Sequence, residues 1–251
     1  MSSLVLFTAD RDKGVATIRF NRPEKKNALN AEMYAALGDA IEAAESDDAV
    51  RAILLCAAGE NFTAGNDLAD FASRPQDGSS PAQRFLYGIA RAKKPLVAAV
   101  DGYAVGVGLT MLLHCDLVYA SRRAKLRAPF VDLGLVPEAG SSLLLPRLVG
   151  HMRASEVFLL SEMISAERAR ELGIVNQVVE PGELDALALQ VCERLARKAP
   201  SAVRRTKELL RDPSGGTVER MQREFELFAE QLRSDEARAA IASFFEKRPQ
   251  R

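Results

Sequence analysis

The stretch Lys93–Asp116, KKPLVAAVDGYAVGVGLTMLLHCD, constrains what this chain can fold into more than any other. It opens on a dense apolar run, Leu96–Val100, breaks at Asp101-Gly102 and again at Gly106 and Gly108, resumes as Leu109–Leu113, and closes on Cys115-Asp116. A buried strand, a glycine-rich turn and a buried helix give that order. Glycines at such a turn let the backbone approach a ligand with no Cβ in the way. The first helical turn then offers unpaired N–H groups to a developing negative charge. The stretch reads as a backbone anion site. It leaves open which anion is held and which side chain moves the proton.

Taken in order, residues 3–8 and 14–20 predict a β-hairpin turning at Arg11–Gly14. Asn21–Asn30 is a polar loop, with Asn30 as N-cap of a helix over 31–45. Met33, Leu37, Ala40, Ile41 and Ala44 recur at helical spacing and mark its buried face. Ala52–Ala57 predicts a strand covered on both faces, and Gly59–Asp70 a second glycine-punctuated loop directly after it. Ser73–Ser80 is rich in breakers and is expected to be mobile, with a helix following over 82–91. Leu117–Ala120 and Ile174–Val179 read as strands, 128–140 as irregular, and 141–149, 152–160 and 166–172 as helices. From Leu184 onward only helices are expected, over 183–198, 201–211, 217–233 and 235–246. Val218, Met221, Phe225, Phe228 and Leu232 form a stripe of the kind that packs in a core or a subunit interface. The strand–helix alternation predicts an α/β fold of stacked units. Residues 1–195 are expected to form the core that carries the site, and 196–251 a helical oligomerisation region.

Composition narrows the function. Lys+Arg and Asp+Glu both number 34, so no global attraction to nucleic acid or an anionic membrane is expected. No apolar run approaches the roughly 20 residues of a membrane-spanning helix. The start, MSSLVLFTADRDKG, lacks the basic and long apolar regions of a signal peptide, so a cytoplasmic location is expected. Cys56, Cys115 and Cys192 sit in apolar segments with no paired spacing and read as free thiols. No His/Cys/carboxylate spacing suggests a metal site.

Six segments in one order resemble the crotonase family, the enoyl-CoA hydratase/isomerase superfamily: NRPEKKNAL, NFTAGNDL, KPLVAAVDGYAVGVG, CDLVYA, LGLVPEAGSSLLLPRLVG and ERARELGIVNQVV. The resemblance covers nearly the whole chain. It implies a spiral of ββα repeats with a C-terminal helical region that packs on a neighbouring subunit in a homotrimer or a dimer of trimers. It also implies an acyl-CoA thioester substrate, whose enolate oxygen two backbone N–H groups hold, with no metal or redox cofactor.

Carried over by position, the donors are the amides of Asn66, after Gly65, and of Val107, between Gly106 and Gly108. Lys25 and Lys26 stand where CoA phosphates are met, and Ala64 and Leu68 where adenine and pantetheine lie. Asp67 follows the first donor and is expected to hold its loop by accepting from backbone N–H groups. The two glutamates of the hydratases are replaced here by Thr110 and Phe130. Glu138 stands instead where several Δ3,Δ2-enoyl-CoA isomerases of the family keep a single base. An apolar pocket built from Phe130, Leu135, Val136 and Ala139 is expected to raise its pKa. Asp132 is a lesser candidate for a second carboxylate, His114 reads as a core histidine, and His151 as a helix start. The resemblance therefore implies a Δ3,Δ2-enoyl-CoA isomerase of fatty-acid β-oxidation. An enoyl-CoA hydratase and a non-catalytic thioester-binding member are the alternatives.

Overall fold

A computed structural model of the chain describes residues 2–67, 80–211 and 235. Leu68, the segment 73–79, the helix expected over 217–233 with its apolar stripe, and the helix expected over 235–246 beyond Asp235 lie outside the described residues. A six-stranded sheet forms the frame, in the order β1-β2-β3-β4-β6-β9. β1 (Val5–Asp10) pairs antiparallel with β2 (Val15–Phe20), so the predicted hairpin forms with its first strand two residues later than expected. The remaining neighbours are parallel: β2 with β3 (Ala52–Ala57), β3 with β4 (Leu96–Val100), β4 with β6 (Leu117–Ser121) and β6 with β9 (Gln177–Val179).

The continuous apolar runs of β3 and β4 arise because both faces of the sheet are covered. Ile53, Leu55, Leu96, Ala98 and Val100 point into the main core, against α1 (Ala31–Ser46) and α2 (Pro81–Arg91). Ala52, Leu54, Cys56, Val97 and Ala99 point the other way, onto Leu184, Ala188, Val191 and Cys192 of a helix over Leu184–Ala196. The period of two along each strand divides one apolar run between two cores. Asn30 caps α1 as its sequence predicts, its side chain accepting from the Met33 amide at 2.9 Å.

A second sheet, β5-β7-β8, is absent from the sequence reading. Its strands are Tyr103–Val105, Lys125–Arg127 and Ile164–Ser165, too short to show a period. The helix expected after Gly108 is one turn, α3 (Val107–Thr110), that tightens into a 3-10 turn over Met111–His114. α4 (Ser141–Val149) follows the irregular segment, α5 (His151–Ser155) starts at His151, and the helix expected through 160 continues as a π turn over Glu156–Leu160. α6 (Ala166–Glu171), α7 (Leu184–Ala196) and α8 (Pro200–Arg211) complete the described elements. The strand expected from Ile174 is confined to Gln177–Val179. Cys56 and Cys192 are buried and Cys115 half-buried, all as free thiols.

Candidate active site

Two loops leave the C-terminal ends of β3 and β4, and Thr63 stitches them together. The Thr63 amide donates to Tyr103 O at 2.8 Å, and the Val105 amide donates to Thr63 O at 3.0 Å. The Thr63 hydroxyl donates to Asn27 O at 2.7 Å and accepts from the Gly65 amide at 3.0 Å. Leu29 closes the other side: its amide donates to Gly65 O at 2.8 Å, and its carbonyl accepts from the Asp67 amide at 2.9 Å. Every amide around Asn66 is thus committed. Among the described residues, the Asn66 and Val107 amides have no acceptor. Two unpaired N–H groups on a clamped backbone are what a developing oxyanion needs.

The glycines make this clamp possible. Gly65 has φ +94, and a Cβ there would lie 2.8 Å from Val105 O. A Cβ on Gly108 would lie 2.6 Å from Thr63 Cγ2, so Gly108 serves loop-to-helix packing and does not border the ligand space. Gly106 donates to Arg127 O at 2.8 Å and lends its carbonyl to the Leu109 and Thr110 amides, both at 3.0 Å, which aims the Val107 amide outward.

One cavity of about 580 Å³ brings the predicted residues together. Asn66 and Val107 line it with Lys25, Ala64, Gly65, Asp67, Gly106 and Phe130. Val107's side chain is itself fully buried. Ala64 donates its amide to Lys26 O at 2.9 Å, leaving its carbonyl as the atom for a ligand. The carboxylate of Asp67, expected to accept from backbone amides, accepts from the Arg22 guanidinium at 2.7 Å. Lys26 departs from expectation. It takes φ +50 at the end of a 3-10 turn, and its ammonium sits 5.3 Å from the Tyr103 ring centroid, outside the cavity. Leu68 lies outside the described residues.

Thr110 is buried, its hydroxyl 3.4 Å from Val107 O, and Phe130 is buried against Phe158 with ring centroids 6.4 Å apart. Neither position offers a carboxylate. Asp132 lines the cavity but is bonded to the Arg127 guanidinium at 2.8 Å. Glu138 differs from all of these. Its Oε1 is fully buried and, like the buried Ser141 hydroxyl, has no hydrogen-bond partner among the described residues. Burial pushes its carboxyl up from 4.5 to about 7. Glu138 does not itself border the cavity, which ends at Leu135. Val136, expected to wall in the carboxyl, points outward at 80% exposure, and Leu135 is 40% exposed, so Phe130 is the buried member of the expected apolar group.

Sequence reasoning missed the residues that hold the loops. Tyr34 on α1 donates to Asn66 Oδ1 at 2.5 Å, and the buried Asn27 side chain donates to Ala58 O at 2.9 Å and Asn61 O at 2.7 Å. Their partners lie more than thirty residues away, where no local pattern reaches. Among the described residues no group of His, Cys, Asp and Glu side chains is placed to hold a metal ion, and no helix is long and apolar enough to cross a membrane.

A family model for enoyl-CoA hydratase/isomerase matches residues 10–251. The chain belongs to the enoyl-CoA hydratase/isomerase family. The chain is 36% identical over 251 residues to the 1,2-epoxyphenylacetyl-CoA isomerase of Escherichia coli K12, covering 94% of each. It is 33% identical over 244 residues to enoyl-CoA delta isomerase 2 of Rattus norvegicus, covering 94% of this chain and 62% of the rat protein. The crystal structure of an enoyl-CoA hydratase/isomerase from Pseudoalteromonas atlantica T6c superposes with a TM-score of 0.81 at 46% identity, covering 99% of each chain. The fold is therefore the crotonase fold of this family, and the chain is an acyl-CoA enzyme. Names among its relatives include isomerases, hydratases and 4-chlorobenzoyl coenzyme A dehalogenases.

Proposed function

We propose that this family member is an enoyl-CoA isomerase that shifts a C3=C4 double bond to C2=C3 with Glu138 as its single base. The observation that carries this reading is a buried carboxyl oxygen at Glu138 with no partner among the described residues, in a chain whose resemblance to the hydratases puts the buried Thr110 and Phe130 at their glutamate positions. Glu138 takes the proton from C2 as the C2–H bond breaks. The electron pair spreads through the thioester carbonyl and the adjoining double bond, and the oxygen that gains charge accepts from the Asn66 and Val107 amides. Glu138 then returns the proton at C4, leaving the double bond at C2. One base suffices because the proton is taken from and returned to the same face of one planar dienolate. A carboxylate near pKa 7 matches this work, ionised enough to accept and basic enough to hold the proton for return.

Hydration of a 2-enoyl thioester is the second reading, because Asp132 lines the same cavity. It needs one group to activate water and another to manage the C2 proton, and Asp132 is engaged by Arg127. Incubating the protein with matched 2-enoyl and 3-enoyl thioesters and identifying the products separates the two. Net formation of 2-enoyl-CoA from the 3-enoyl thioester supports isomerisation. Faster formation of 3-hydroxyacyl-CoA from the 2-enoyl thioester rejects it. A protein that binds both and converts neither is a binding member only.

The same reading gives a pH profile. Ionised Glu138 is the active form, so kcat/KM falls about tenfold for each pH unit below about 7 and levels above it. A stopped-assay series from pH 5 to 9 measures this, and a flat profile through pH 6 counts against Glu138 as base.

The CoA end divides the two lysines. Lys25 lines the cavity and Lys26 does not, so Lys25→Ala raises KM about tenfold, the effect of losing one charge-assisted contact, while Lys26→Ala leaves KM unchanged. Equal effects from both replacements would remove Lys25 from the phosphate site. Assembly as a trimer or a dimer of trimers is part of the proposal. It is supported by the exposed apolar side chains Leu143, Leu148, Met152, Leu159 and Leu160 on α4, α5 and the π turn.

A further inference from the structure

His114 has no part in the proton transfer just described, yet its side chain is bonded to the base's own loop. It ends the 3-10 turn that continues α3, the turn that begins at the Val107 amide. Its Nε2 lies 2.8 Å from the carbonyl oxygen of Ala139, the residue after Glu138. A carbonyl only accepts, so Nε2 carries the proton and donates. A charged ring also bears a proton on Nε2, so this bond is the same in both protonation states of the histidine.

Both ends of the bond are fixed. On the base's side, Ala139 takes φ +55, a left-handed conformation that alanine rarely adopts, and the Ser141 amide donates to Glu138 O at 2.9 Å. On the other side, the His114 carbonyl accepts from the Arg211 guanidinium. Arg211 lies 3.5 Å from Asp116, which accepts from Lys207 Nζ and from the Leu96 amide, both at 2.7 Å. α8 thus braces the turn from behind. Among the described residues, no other side chain bonds to the segment 135–140.

We propose that His114 is a positioning residue for the base. Its Nε2–H, bonded to the Ala139 carbonyl, fixes the Glu138 carboxyl relative to the Val107 amide at the start of α3, which the 3-10 turn continues. The inference rests on the reading of Glu138 as base. A displacement of about 1 Å in a reacting group costs about 100-fold in rate, which sets the scale of the effect. The charged and titratable groups around the bond are Arg211 and Lys207 from α8, Cys115 and Asp116 beside His114, and Glu138 itself. Burial pushes the Cys115 thiol up to about 12, and Asp116 is matched by Lys207 and Arg211. Burial also holds the His114 ring below its ordinary value, with the Ala139 carbonyl opposing and Arg211 assisting. Burial likewise lowers Lys207, with Asp116 opposing, and raises Glu138 to about 7.

Three replacements test the bond. His114→Phe keeps a ring and loses the donor. His114→Gln places an amide N–H close to the Nε2 position, and His114→Asn places it one atom short. The expected result is a fall in kcat of about 30- to 100-fold for the Phe and Asn variants with KM within about twofold, and recovery to within about threefold for Gln. A ¹³C NMR titration of the Glu138 carboxyl, made without substrate, is expected to move from about 7 toward 4.5 in the Phe and Asn variants, as the loosened loop admits water. His114→Phe with unchanged kcat and unchanged titration overturns the proposal, and so does a Gln variant as impaired as Asn. Should Phe fail to fold, the Gln and Asn pair decides alone. If the wild-type protein does not isomerise a 3-enoyl thioester, the reading of the reaction fails, and the carboxyl titration still decides whether His114 positions Glu138.

Discussion

Glu138→Gln is expected to lower the turnover of a 3-enoyl thioester by about 10³- to 10⁴-fold, with KM changed by less than about threefold. The amide matches the carboxyl in shape but cannot take the C2 proton. The Asn66 and Val107 amides still hold the thioester oxygen, so binding survives and chemistry does not. The same replacement leaves a second mark, in stability. The folded-state value of Glu138, about 7, lies above its ordinary 4.5. Folding therefore favours the protonated carboxyl, a contribution present below 4.5 and lost as pH rises through about 7. Above that value, an ionised Glu138 costs the folded protein up to about 3 kcal/mol, which glutamine avoids. Glu138→Gln should thus unfold later than the wild type in denaturant at pH 8, and alongside it at pH 4. A variant that is dead but no more stable at pH 8 would place Glu138 in a more hydrated setting than its buried, unpartnered oxygen indicates.

Gly65→Ala has the second large effect, through the backbone. Alanine at φ +94 is strained, and its Cβ would stand 2.8 Å from Val105 O. Val105 belongs to β5, which Thr63 ties to the first loop, so relief of the contact must move one oxyanion loop against the other. The Asn66 amide follows Gly65 directly and shifts with it. Loss of one such donor lowers kcat by about 10²- to 10³-fold. The strain and contact also cost about 1–3 kcal/mol of stability. Steady-state kinetics beside a denaturant melt checks both. A folded Gly65→Ala protein with wild-type kcat would mean that the Asn66 amide does not stabilise the charge.

These expectations rest on different kinds of legibility. The glycine breaks at 65, 106 and 108 and the apolar runs beside them were visible in the sequence, because a buried strand and a tight turn each leave a local signature. Glu138 stood out as the carboxylate remaining once Thr110 and Phe130 replaced the usual pair. The second sheet was not visible: β8 has two residues, and its pairing with β7 joins positions nearly forty apart. The divergence of Lys25 and Lys26 was not visible either. It follows from left-handed backbone at Lys26 and Asn27, which the buried Asn27 side chain enforces through bonds to residues 22, 58 and 61. His114 looked like a core residue because its partner is a backbone carbonyl, which no side-chain pattern reveals.

The central claim is that one half-buried glutamate, Glu138, carries a proton from C2 to C4 of a thioester whose oxygen two backbone amides hold. A 3-enoyl-CoA deuterated at C2 tests it most directly, with the product examined by mass spectrometry after less than one turnover. The account predicts 2-enoyl-CoA with deuterium retained in part at C4, and no such product from Glu138→Gln. Product that has gained oxygen at C3, or the same labelled product formed at an undiminished rate by Glu138→Gln, would contradict it.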